Sequence, residues 1–180
     1  MNSDPDRSGQ ASALTVLTPI APGAEADLRA YLEGLRAGPS PLARVAGTHF
    51  GRWVIVSDLV AEDEREPDHL AGPHLLFTAS FDGPADPFLD ALCDELAVEA
   101  EAIWGRCAGA PQPAAGAALK AYLRAHHHET GFFVAAYPQA SVAQVRAALA
   151  QRDEAIAFAR DAQGMDPAQL QAAFLERLGR

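Results

Sequence analysis

Apolar and polar positions alternate most strictly over His74 to Asp82, where Leu75, Phe77, Ala79 and Phe81 fall on one face of a predicted strand and His74, Leu76, Thr78, Ser80 and Asp82 on the other. One face therefore packs on helices, and the other meets solvent, a ligand or a partner sheet. A weaker alternation sets Leu14, Val16 and Thr18 against Thr15 and Leu17, predicting a strand over 13–20 that Pro19 and Pro22 stop. Thr48 to Val60 is rich in β-branched and aromatic residues and reads as a central strand, with the run from Trp53 to Val56 covered on both faces. Gly131 to Tyr137, closed by Pro138, is the last predicted strand.

Between these strands the apolar period becomes helical. Leu28, Tyr31, Leu32 and Leu35 form one face of a helix ended by Gly38-Pro39. Asp86-Pro87 supplies an N-cap and a first-turn proline for a helix reaching about residue 107, with Phe88, Leu92, Leu96, Ile103, Trp104 and Cys107 on one stripe. Leu119, Tyr122, Leu123 and His126 predict a shorter helix that ends in three histidines. Ser141 with Gln144 makes a capping box for a helix carrying Val142, Val145, Leu149 and Ile156, and Asp166-Pro167 opens a terminal helix with Leu170, Phe174 and Leu178.

The resulting order is β-α-β-β-α-β with an extra helix before the last strand and additional C-terminal helices. That is an α+β, ferredoxin-like chain: a four-stranded antiparallel sheet with helices on one face. It divides into a loose polar tail at 1–12, the α+β domain at 13–160 and a helical extension at 161–180. The open face of such a sheet needs a cover, and a homodimer is the expected solution.

Composition narrows the partners. With 180 residues and 49% hydrophobic content the chain can build its own core. A net charge of -10 and a single lysine, Lys120, argue against nucleic acid and against an anionic membrane surface. No leader or membrane-spanning run is evident, so the expected compartment is a reducing cytoplasm. Cys93 and Cys107, placed in one predicted helix about 21 Å of helical rise apart, cannot pair within it and read as buried thiols.

The strand stretches Thr15–Ile20, Thr48–Val56, His74–Gly83 and Gly131–Pro138 together resemble the layout of the dimeric α+β barrel superfamily, across roughly residues 13–160. That superfamily includes small monooxygenases of antibiotic biosynthesis, haem-degrading enzymes, chlorite dismutases and dye-decolourising peroxidases, alongside members without known chemistry. The resemblance implies two ferredoxin-like sheets packed face to face, and it does not choose a function.

Several residues are candidates for chemistry. Ala79-Ser-Phe-Asp-Gly83 is similar to the Gly-x-x-Asp-Gly motif of dye-decolourising peroxidases, which would place Asp82 over a haem; the alternative is an ordinary Asp-Gly turn. His126, His127 and His128 could ligate haem or a metal, or simply interact with the carbonyls at a helix end. His49 and Arg52, three apart on a strand, point to opposite faces. If His49 lies on the open face it can meet His74 or Thr78; if Arg52 lies there, it can hold a haem propionate or an organic acid. Two functions stay open. One is a small-ligand- or haem-binding protein with oxidative chemistry, using His49, Arg52 and Asp82 with His74, His126 and His128 near the cofactor. The other is a non-catalytic dimerisation or accessory module. The cysteines lack zinc spacing, and no metal site is expected outside the weaker triple-histidine reading.

Overall fold

In a computed structural model that describes residues 4–58 and 69–179, the strands are β1 (Arg7–Ser8), β2 (Ala11–Pro19), β3 (Thr48–Val56) and β4 (His74–Asp82). The α-helices among the described residues are α1 (Glu25–Gly34), α2 (Ala85–Glu95), α3 (Ala97–Trp104), α4 (Gly116–Ala125), α5 (Val142–Asp161) and α6 (Pro167–Leu178). The protein is thus an α+β chain with a four-stranded antiparallel sheet in the order β1-β2-β4-β3. Residues 1–140 form one compact unit and 141–180 a second.

In the first unit, the alternation of β4 is realised as expected. Leu75, Phe77, Ala79 and Phe81 are buried, while His74, Leu76, Thr78, Ser80 and Asp82 are half-buried. On β2, Leu14, Val16 and Thr18 face the same core. Thr18 is tolerated there because its hydroxyl lies 3.4 Å from the Leu75 carbonyl and 3.3 Å from Cys107 Sγ. The core is one cluster of these residues with Leu28 of α1, Phe88 and Leu92 of α2, Ile103 and Trp104 of α3, and Leu119 and Leu123 of α4. At its centre Phe77 stacks on Trp53 at 5.3 Å and meets Trp104 edge-on at 5.4 Å.

Four expectations need correction. First, β3 is an edge strand and β4 the central one, so Trp53–Val56 is not covered on both faces: Val54 is 39% exposed. Residues 59 and 60 of the predicted strand, and 61–68 of the charged loop after it, lie outside the described residues. Second, Arg7–Ser12 is not a loose tail, because β1 and the start of β2 form a hairpin around Gly9, whose φ of 66° favours glycine. Third, Gly131–Tyr137 forms no ladder. The outer edge of β2 is already occupied by β1 and by a bridge from Val16 to His127, with Leu17 N–H donating to His126 O and His128 N–H to Thr15 O. The segment is held instead by Thr130 N–H on Asp6 Oδ1, Ala135 N–H on Ser8 Oγ and Gln10 N–H on Pro138 O, leaving Phe132, Val134 and Tyr137 exposed. Fourth, the long helix breaks at Leu96 (φ -110°, ψ 25°) and starts at Ala85 after Pro84, so Asp86 is inside it and Cys107 beyond α3. The stripe itself is buried throughout.

Cys93 and Cys107 are free and buried, and burial pushes both thiols up to about 11, so they stay protonated and unreactive at neutral pH. No helix among the described residues is long and apolar enough to cross a membrane.

The second unit is a helical hairpin. Ser141 and Asp166 both build full capping boxes, with Gln144 and Gln169, so α5 and α6 start where the sequence predicts. Phe158 of α5, covered by Phe174 at 6.0 Å and by the Arg177 guanidinium, is its one buried side chain among the described residues.

Candidate functional site

The half-buried face of the sheet is read most simply as rows set by the strand register. Ala13, Ser80 and Phe50 form one row; Thr15, Thr78 and Arg52 the next; Leu17, Leu76 and Val54 a third; Pro19, His74 and Val56 the last. Between the first two rows lies an open groove of about 480 Å³, walled by Phe50 and Phe133 and floored by Ala13, Thr15, Thr78 and Ser80. Arg52 enters it from the edge strand. Its Nε donates to Thr78 Oγ1 at 3.1 Å, which fixes the guanidinium plane and leaves the two terminal nitrogens without a protein partner among the described residues. A guanidinium presented this way offers the paired donors that a carboxylate accepts.

Local sequence explains why β3 can deliver Arg52 here. Gly51 occupies the opposite face, where Leu42 packs against the backbone so closely that an added Cβ would lie 2.5 Å from Leu42 Cδ1. A β-bulge lies between Thr48 and Phe50. It breaks the simple alternation, so His49 reaches Asp82 Oδ1 at 2.8 Å, and Asp82 shares the open face of β4 with Thr78 and Ser80. His49 and Arg52 therefore do not point to opposite faces as plain strand geometry predicts. They do not meet either: their partners Asp82 and Thr78 are about 13 Å apart along β4 at the ordinary rise.

The remaining sequence candidates scatter. His74 is at the far end of β4 from Asp82, with Nδ1 2.8 Å from Gly72 O, so it cannot meet His49. His126 caps α4, its Nδ1 2.9 Å from Tyr122 O and its ring against Tyr122. His127 Nε2 is 3.1 Å from Asp6 Oδ2 without hydrogen-bond alignment, and the His128 backbone N–H donates to Thr15 O. Asp6 falls in the polar stretch that composition marks as a tail, and its nonlocal partners Thr130 and His127 give it a structural role. Phe50, Thr15 and Phe133 line the groove but are not among the site candidates that the sequence offers; the two-residue spacing of Phe50 from Arg52 is the signal that could have found the first.

Haem does not fit this arrangement. Among the described residues that line the groove none is His, Cys, Tyr or Met, so a haem whose propionates reached Arg52 would find no axial donor among them. Among the described residues no group of three or more His, Cys, Asp or Glu is placed to hold a metal ion. A second groove, of about 560 Å³ between α1 and β3, also carries arginines, but there Arg29 is engaged by Glu25 and Ser57 and Glu33 adds opposing charge. Ion pairing with Arg29 and the Ser57 hydroxyl holds the Glu25 carboxyl below its usual range.

Comparison of the chain with protein-family models, with curated proteins and with solved structures finds no match, so the open groove has to be read from its own chemistry.

Proposed function

We propose that this protein binds a small organic carboxylate with an apolar body on the open face of its sheet, and that a second copy covers that face. The observation that carries the reading is Arg52, oriented by Thr78 and lining one groove with the aromatic side chains Phe50 and Phe133. The guanidinium takes the carboxylate, the hydroxyls of Thr15, Thr78 and Ser80 give adaptable hydrogen bonds, and the rings take the apolar body. A ferredoxin-like reading of the first unit is supported by the run β2-α1-β3-β4-α2 with β4 between β2 and β3, although the fourth position is filled by the N-terminal β1. The apolar row Leu17, Leu76 and Val54, together with the exposed Phe50 on the far side of the Arg52 row, suits a second sheet packed face to face.

Isothermal titration with benzoate, and with benzamide as the uncharged control, tests the ligand reading. Benzoate binds and benzamide does not, and Arg52→Gln lowers benzoate affinity by at least tenfold. Equal binding of the two probes, or an unchanged Arg52→Gln, defeats it. Val54→Glu tests the cover separately through the mass in solution.

A further inference from the structure

The second unit contains a helix with more apolar surface than its own hairpin uses. Phe158, the side chain of α5 that packs on α6, follows Leu149 by about two and a half turns and so lies on the opposite side of the helix from Leu149. Val145, Leu149 and Ile156 share that other side, and each is 44% exposed. Their spacing of four and then seven residues is that of a seam against another helix, not of scattered surface leucines. A hairpin on the order of 40 residues, with one buried side chain, lies at the lower limit for independent stability and needs further burial.

Charge selects the occupant. Arg146 and Asp153 lie along the same flank of the seam, Arg146 about 4.5 Å of helical rise before Leu149 and Asp153 about 6 Å after it. When two copies of α5 run antiparallel with Leu149 on the two-fold axis, Arg146 of each comes opposite Asp153 of the other. Arg146 has no ion pair within the chain among the described residues, and Asp153 pairs only with its neighbour Arg152 in the open, at 2.7 Å. The seam is thus self-complementary in charge. We infer that α5 is a self-association helix, which pairs antiparallel with α5 of a second copy through Val145, Leu149 and Ile156.

The seam and the open sheet face consist of different residues, so the two readings fail separately. Under mild oxidation Leu149→Cys is expected to give at least tenfold more covalent dimer than Leu175→Cys, which carries an exposed control position on α6. The native thiols are buried and do not interfere. Arg146→Asp sets two aspartates face to face and lowers the Leu149→Cys yield; adding Asp153→Arg restores it. By sedimentation, Val54→Glu alone lowers the mass only as far as a dimer held through α5, and its combination with Leu149→Glu gives a monomer. Equal cross-linking at the two positions, no rescue by the charge swap, or a monomer from Val54→Glu alone would each overturn the inference. So would a monomer whose seam is protected from hydrogen exchange, because the chain itself would then cover it. A monomer from Leu149→Glu alone would uphold α5 pairing and remove the sheet-face dimer instead.

Discussion

The two faces of β4 share one backbone and differ in almost everything else. On one side Leu75, Phe77 and Phe81 have no exposed surface and pack into a single aromatic and aliphatic cluster. On the other, Thr78 orients Arg52, Asp82 holds His49, and the apolar row at Leu76 is only partly buried. Because side chains alternate strictly, a strand that carries the core on one face is free to vary the other, and that is where specific chemistry can accumulate without loss of fold. The difference teaches that the two faces should respond to substitution in opposite currencies: stability on the inner face, recognition on the outer.

The contrast is broken most directly by Phe77→Ala. Removing the ring from between Trp53 and Trp104 should cost about 3–5 kcal/mol, read as a lower denaturation midpoint at unchanged slope. Next comes pH. Cys93 and Cys107 hold their protons up to about 11 when folded, whereas unfolded thiols ionise near the ordinary value of 9.0. Between these values the folded state binds more protons, so stability is full below pH 9 and falls as pH rises through about 11. Replacing both cysteines with alanine should flatten that part of a pH–melting curve.

Smaller effects are expected on the outer face. His49→Ala removes a half-buried bond at the bulge and should cost about 1 kcal/mol, together with altered exchange of the amides around Phe50. Arg52→Gln should change stability by less than about 0.5 kcal/mol while lowering carboxylate affinity by at least tenfold. A large loss of stability from Arg52→Gln would make the residue structural and erase the contrast.

Much of the inner face was legible beforehand because burial is written as period. The alternation at 74–82, the stripe from Phe88 to Cys107, the Ser141 capping box and the helix start at Asp166-Pro167 follow from local rules, and those residues lie where the rules put them. The failures are nonlocal. Gly131–Tyr137 has strand composition, yet β1 and His127 had already taken the edge it needed. Asp6 looks like a tail residue until Thr130 and His127, over a hundred positions away, supply its contacts. The bulge at His49 depends on the register against Phe81 and Ser80, which no single strand reveals. Of the candidate site, Arg52 and Thr78 were readable; the histidines drew attention by their chemistry but are dispersed over both ends of the sheet and the end of α4.

The most direct test of the open face as the binding surface is an amide NMR titration of the full chain with benzoate. Saturable shifts confined to Thr15, Phe50, Arg52, Thr78 and Phe133, lost in Arg52→Gln, are the predicted result. Shifts centred on the α1–β3 groove around Arg29 and Trp53, or no saturable shifts at all, would contradict it.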